Sequence, residues 1–135
     1  MSNQQSAEAA LYSLNDPTQS VYVREQALRI LAQTPTSEHL ARMIQALEDE
    51  HFGVRWEAAA LLAELGEVAL RPLLRALVYQ HDSVWLREGA HHICYYSSSP
   101  QVREWTQPLQ KALRGSAAEV ATTDAAAKLL QSLSY

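Results

Sequence analysis

The sequence has few of the residues that cross-link a chain or form tight turns. Its 135 residues include one cysteine, four glycines and five prolines. A single thiol, Cys94, excludes an intrachain disulfide, so side-chain packing has to hold the fold together. Scarce glycine and proline disfavour a turn-rich β architecture, whereas the hydrophobic 47% of the chain consists mainly of aliphatic and small residues. The composition therefore predicts an all-α fold.

The sequence also lacks a surplus of positive charge. Eleven Lys and Arg residues stand against fifteen Asp and Glu, which gives a formal net charge of -4. Because phosphate affinity comes from clustered Lys and Arg, this balance argues against general binding of nucleic acid. No apolar run approaches the length of a membrane span, and the polar start, Met1 to Gln5, lacks the pattern of a secretory signal. We therefore expect a cytoplasmic protein with no membrane partner.

What the sequence does contain is an internal repeat of about thirty residues. Three segments match one another: VREQALRIL from Val23, VRWEAAALL from Val54 and LREGAHHIC from Leu86, with starts 31 and 32 residues apart. Their apolar residues fall at offsets 0, 4, 7 and 8, which is one stripe of an α-helix. We call these the first helices. Offset 4 is always alanine, whose small side chain lets a neighbouring helix approach closely, so we expect helix crossings at Ala27, Ala58 and Ala90.

A second amphipathic helix follows each first helix. Its template places apolar residues at offsets 0, 3, 4 and 7, as at Leu40, Met43, Ile44 and Leu47, and again at Leu70, Leu73, Leu74 and Leu77. Residues 108–113, PLQKAL, parallel PLLRAL at residues 72–77 and predict a third copy. Ser37 is predicted to cap the first of these helices. Pro72 is predicted to lie in a first helical turn, where proline costs no hydrogen bond.

Residues 47–77, LEDEHFGVRWEAAALLAELGEVALRPLLRAL, resemble a short HEAT-like repeat of the type grouped with phycobilisome lyases. The features that carry the resemblance are an Asp that closes one unit, the pair Val54-Arg55 that opens the next helix, alanine-rich packing positions, a glycine, and a Pro-Leu-Leu second helix. The resemblance implies a right-handed α-solenoid of about three helix pairs with capping helices. We expect one domain over residues 1–135, with a cap helix at 1–16, repeats at 17–48, 49–80 and 81–114, and a closing helix at 116–134.

The resemblance also gives a structural meaning to a ladder of charges. One Asp and one Arg recur in each repeat, as Asp16, Asp49 and Asp82 with Arg24, Arg55 and Arg87. In the family, such residues satisfy helix ends and bond across neighbouring units. We therefore interpret the ladder as architecture and not as a catalytic site.

No residue pattern supports catalysis. His91 and His92 are consecutive, so their rings point in different directions on a helix, and no second His lies four residues from either; Glu88, three and four residues before them, fits an ordinary helix contact better than a metal pair. Deoxyhypusine hydroxylase, a HEAT-repeat enzyme, is marked by repeated His-Glu dipeptides, which this sequence does not contain. Cys94 occupies a stripe position and is predicted to be a core residue. We expect no metal, no cofactor and no enzymatic activity. Trp56 is expected to face outward, whereas Trp85 and Trp105 are expected in the core or at a cap.

The second helices carry the candidate binding surface. In solenoids of the resembled type they line the concave face, and here their basic residues run against the acidic balance of the whole chain. Segments 38–48, 69–79 and 106–114 are predicted to form a groove for another protein, such as one with an acidic segment. The predicted partner-binding residues are Arg42, Gln45, Arg71, Arg75, Tyr79, Lys111 and Arg114, of which Gln45, Arg75 and Lys111 are equivalent in the repeats.

The sequence therefore indicates a protein-interaction module or scaffold. Two other functions stay open at this stage. One is a phycobilisome-lyase-like accessory protein that acts on bilin or on bilin proteins, and it depends on the family resemblance alone. The other is a DNA-binding helical repeat protein, which the net charge disfavours. Self-association through an open end of the stack is also left open.

Overall fold

A computed structural model describes the backbone of residues 3–134 and the side chains of residues 6–134. This part of the chain folds into helices and contains no strand. The helices are α1 (Asn3–Asn15), α2 (Val21–Gln33), α3 (Ser37–Gln45), α4 (Phe52–Leu65), α5 (Glu67–Tyr79), α6 (Val84–Tyr95), α7 (Pro100–Trp105), α8 (Gln107–Leu113) and α9 (Ala118–Ser132), with a 3-10 turn at Ala46–Glu48 directly after α3. The predicted all-α class is confirmed.

Hydroxyl side chains define where several helices begin. Ser20, Thr36, Ser83 and Ser99 each accept a hydrogen bond from the backbone N–H three residues later, which satisfies a donor that the helix itself leaves free. The cap of α3 is Thr36 and not Ser37, so the sequence-based assignment was wrong by one residue. Both residues carry a hydroxyl, and the extended backbone of Thr36 is what directs its oxygen toward the N–H of His39.

Gly66 joins α4 directly to α5. Its φ of +65° and ψ of -130° belong to a backbone region that residues with a Cβ rarely adopt, and a Cβ there would lie 3.1 Å from the Ser98 Oγ. The loop after α6 covers this junction, because Ser98 donates from its N–H to the carbonyl of Ala63 and from its hydroxyl to that of Glu64. Since α5 begins at Glu67, Pro72 lies inside the helix and not in its first turn, and the prediction for that proline was wrong.

The helices pack in two rows. Along the first row α1 packs on α2, α2 on α4, α4 on α6 and α6 on α8. In the second row α3 packs on α5, and α9 packs on both α5 and α8. The predicted stack of helix pairs is confirmed, but its third pair differs. The connection from α6 contains two short helices, α7 and α8, and it is α9 that packs along α5.

Residues predicted from the two templates form most of the core. The crossing alanines Ala27, Ala58 and Ala90 are buried, and so are all eight template residues of α3, its 3-10 turn and α5. The first repeat departs from its template, because Val23 is only half-buried whereas Arg24 and Leu28 are buried. The apolar stripe of α2 is therefore shifted, and a charged residue occupies one of its buried positions.

The charge ladder connects the repeats at Arg24. Its guanidinium is paired with the carboxylate of Asp49 in the next unit, with Nη1 to Oδ1 at 3.1 Å and both side chains about nine-tenths buried. Arg55 donates to the carbonyls of Asp49 and Glu50, while Arg87 is paired with Asp82 of its own unit at 2.9 Å. The ladder thus bonds to backbone carbonyls at Arg24 and Arg55, pairs two side chains within one unit at Arg87, and crosses between units at Arg24.

We expect Arg24→Ala to lower the free energy of unfolding by about 3–5 kcal/mol, because it leaves the Asp49 carboxylate buried without a counter-charge. Urea unfolding followed by circular dichroism measures the change. The control is Lys128→Ala, which removes an exposed pair with Asp124 four residues away and should cost less than about 0.5 kcal/mol. Equal losses from the two variants would contradict the cross-repeat role of Arg24.

Candidate functional site

A cleft of about 980 Å³ opens beside α3. Its walls come from the turn after α1, from the exposed face of α3, and from the turns that follow α3 and α5. The polar side chains that line it are Asn15, Arg24, Arg42, Gln45, Glu48, Asp49, Glu50, Tyr79, Gln80 and His81. The cleft therefore lies near the C-terminal ends of α1, α3 and α5.

Arg42 is the cation of this cleft that has no partner among the described residues. Its Nε is buried and lacks a hydrogen-bond acceptor, and no described carboxylate is within ion-pairing distance of its guanidinium. Burial, and secondarily the positive charge of Arg24, lower the pKa of Arg42 from its ordinary value. An arginine remains charged in a protein even when its pKa is lowered, so Arg42 is a partly buried cation that a counter-charge would stabilise.

No neighbouring carboxylate supplies the counter-charge for Arg42. Asp49 is engaged by Arg24, and the Glu48 carboxylate lies 3.3 Å from the His81 ring Nε2. Gln45 and Tyr79 are exposed and add an amide and a phenol that can donate hydrogen bonds. The arrangement suits a single carboxylate or similar anionic group that approaches from solvent.

The structure brings together three of the seven predicted binding residues, namely Arg42, Gln45 and Tyr79. Arg71 instead donates to the Leu133 carbonyl at the end of α9. Arg114 lies near His91, with its Nη2 3.4 Å from the ring Nδ1, in a separate cleft of about 420 Å³. The part these residues play in binding stays a prediction.

Arg75 and Lys111 are both exposed, but their helices do not adjoin as the predicted groove requires. The groove places residues 38–48, 69–79 and 106–114 in one row. The assignment of residues 106–114 to that row was wrong. The helix that packs along α5 is α9, whereas α8 packs on α6 and α9. Side chains of residues 106–114 therefore do not continue the surface formed by α3 and α5.

A row of exposed aromatic rings on the first helices was largely missed. Phe52 stacks on Trp56 at 6.1 Å between ring centroids, Trp56 contacts His92 at 4.7 Å, and His92 contacts Tyr96 at 4.7 Å. The expectation that Trp56 faces outward is confirmed. The missed signal is the spacing of four residues that each helix repeats, which puts aromatic side chains on one face.

The other two tryptophans were predicted to be more enclosed than they are. Trp85 is 40% exposed and Trp105 is 41% exposed. Trp85 is nevertheless held in place, because the Arg55 guanidinium lies 4.2 Å from its ring centroid. Trp105 lines a cleft with Pro108 and the last turns of α9, which places it at the end of the stack.

The histidines do not converge. Over residues 3–134, no group of three or more His, Cys, Asp or Glu side chains comes close enough to hold a metal ion. His39 is buried and its Nδ1 lies 2.5 Å from the Thr34 carbonyl, which fixes the turn before α3. His91 stacks on Tyr95, the His92 ring contacts Tyr96 at a tilt, and burial lowers the pKa of both imidazole rings.

Comparison with known families identifies the class of protein. A family model described as HEAT repeats matches residues 7–93, which is more than half of the chain. The chain belongs to the HEAT repeat family, as the paired helices in two rows require. The match does not distinguish the phycobilisome-lyase group within it, so that narrower resemblance stays a prediction.

No curated protein and no solved structure is similar to the chain by sequence or fold search. Separately, none of the helices between residues 3 and 134 is both long enough and apolar enough to cross a membrane.

Cys94 is fully buried, as predicted, and we expect it to be unreactive in the folded protein. Burial raises the pKa of its thiol to about 12, so almost no thiolate is present at pH 8. Reaction with Ellman's reagent should be very slow in buffer and should give one thiol per chain in guanidinium chloride. Fast labelling of a chain whose circular dichroism is unchanged would show that the residue is accessible.

Proposed function

We propose that the chain is a protein-interaction module that binds a partner protein through the cleft beside α3. The single observation that carries this proposal is Arg42, a half-buried cation that has no counter-charge among the described residues. Membership of the HEAT repeat family supports it, because stacked helix pairs present extended surfaces to partners. We also propose that residues 1–135 act as one domain with the boundaries given above.

The chemistry of the cleft favours an isolated carboxylate on the partner. A carboxylate that reaches Arg42 gains a charge-assisted and potentially bidentate hydrogen bond, worth about 1.5–3 kcal/mol. Gln45 and Tyr79 can donate further hydrogen bonds to the same segment. A long acidic run fits less well, because Glu48 and Glu50 lie in the cleft wall and would repel it.

The same charges make DNA a poor ligand. Two arginines, Arg24 and Arg42, face three carboxylates, those of Glu48, Asp49 and Glu50, so the wall is not a basic surface. No observation of comparable weight favours bilin chemistry. Protein binding is therefore the function that the cleft supports best.

We expect Arg42→Glu to reduce partner binding at least about tenfold, because it places a negative charge where a carboxylate has to dock. The measurement is affinity capture from a native lysate of the source cells with the full chain as bait, with quantification of each protein recovered. Lys128→Glu is the matched control, since it makes the same charge change on α9, outside the cleft.

Undiminished capture by a well-folded Arg42→Glu variant would remove the cleft from the proposal. Arg75→Glu measures how far the binding surface extends along α5. A loss confined to Arg42→Glu would place the contact at the α3 cleft alone.

A further inference from the structure

Helix α1, at the start of the stack, has no partner helix in the second row. Between α2 and α4 the chain forms α3, and between α4 and α6 it forms α5. Between α1 and α2 it forms only the short turn of residues 16–20, although α1 packs on α2 as the other first-row helices pack on one another. One position of the second row, next to α3 and over α1, is therefore not filled by any helix of residues 3–134.

Two clefts mark this position. One, of about 710 Å³, is lined by Ala7, Glu8 and Leu11 of α1 and by Glu38 at the start of α3. The cleft that contains Arg42 lies further along the same two helices, with Leu14 of α1 and with Ala41, Arg42 and Gln45 of α3 among its lining residues. The linings follow both helices in the same direction. Together they form a slot, defined by α1 residues 7–15 and α3 residues 37–45.

We propose that this slot binds an amphipathic α-helix of a partner protein, which lies antiparallel to α3 and completes the second row. This inference rests on the proposed function and specifies the shape of the partner segment. On the α1 wall Leu11 is only partly buried, whereas Ala7 and Leu14 are already covered by the core, so an apolar side chain of a docked helix can pack on Leu11.

Charge sets the direction of the docked helix. Arg42 has no counter-charge, and one turn earlier along the slot Glu38 of α3 and Glu8 of α1 are exposed, with no cation of the described chain within ion-pairing distance. Helices commonly carry acidic residues in their first turn and basic residues in their last, which complements their own dipole. Such a helix places both charges favourably only when its acidic first turn lies on the Arg42 side of the slot and its basic last turn on the side of Glu8 and Glu38.

The slot also limits the length of the docked helix. The α1 wall from Ala7 to Asn15 spans eight residue steps, or about 12 Å at roughly 1.5 Å per residue. About two helical turns of a partner can contact it, at roughly 5.4 Å per turn. A short segment of that size suits a linear helical motif better than a large domain interface.

A second copy of this chain is a poorer occupant. Its closing helix, α9, is the element at the opposite end of the second row, and the outward face of α9 is mostly polar: Glu119, Thr123, Asp124, Lys128 and Gln131, with Val120 and Ala127 between them. Such a face has no continuous apolar stripe to pack on Leu11. The occupant is therefore a helix of a different protein.

The test uses a displayed library of 16-residue helix-forming peptides, with the full chain as bait. Ala41→Arg fills the slot at an exposed position of α3, and Ala127→Arg is the matched control on the outward face of α9. We expect enriched peptides with an apolar stripe, an acidic first turn and a basic last turn. Their affinity should fall about tenfold or more with Ala41→Arg and stay within about twofold with Ala127→Arg.

A charge exchange tests the direction. In the double variant Arg42→Glu with Glu38→Lys, peptides whose first turn is basic and whose last turn is acidic should replace the original binders. Unchanged selection in this variant would overturn the antiparallel docking.

The remaining outcomes separate this inference from the proposed function. Peptides that are extended or contain internal proline, yet lose binding with Arg42→Glu, would leave the proposed function standing and overturn the helix. Absence of any peptide that depends on Arg42 or Ala41 would overturn both. Self-association of the full chain in sedimentation, abolished by Ala41→Arg, would show that the occupant is a second copy and overturn the partner helix.

Discussion

The close approach of successive first helices is the constraint on which the rest of the structure depends. At each crossing the side chain is a methyl group, and Ala27, Ala58 and Ala90 are at most 2% exposed. Gly53 shows how closely α4 approaches α2, since a Cβ there would lie 3.3 Å from a methyl carbon of Val21. Because interiors are packed to crystal-like density, a larger residue at these points would push one repeat away from the next. The position of α3 relative to α1, and so the slot between them, follows from this spacing.

Local patterns were sufficient to predict the repeat, because each helix pair is built from contacts close in sequence. The offsets of apolar residues identified the buried positions of α3, α4 and α5, and the recurrence of alanine identified the crossings. The packing of α9 along α5 could not be predicted in this way. It joins residues about fifty positions apart, and the alanine-rich sequence of α9 fits a terminal cap as well as a second-row helix. For that reason the third helix of the second row was assigned to the wrong residues.

The candidate site was predictable in its residues and not in its geometry. Arg42, Gln45 and Tyr79 stood out because they are polar residues on second helices, but nothing in the sequence indicates which arginine lacks a partner. That depends on Asp49, which could pair with Arg24, Arg42 or Arg55 on spacing alone. In the structure the Asp49 carboxylate pairs with Arg24, whereas Arg55 donates to backbone carbonyls and lies over the Trp85 ring. Because Asp49 pairs with Arg24, Arg42 is left without a carboxylate partner.

The two ends of the stack differ in whether a helix covers the second row. At the far end, α9 covers α5 and α8 and turns a polar face to water, as a terminal repeat should. At the near end, α1 packs on α2 in the first row, but the short turn that follows it leaves the second row without a cap. The partly buried side chain of Leu11 and the unpaired guanidinium of Arg42 lie at that uncapped position. An end that is apolar, charged and unfilled is costly for an isolated domain, and a bound helix removes the cost by supplying both the apolar contact and the counter-charge.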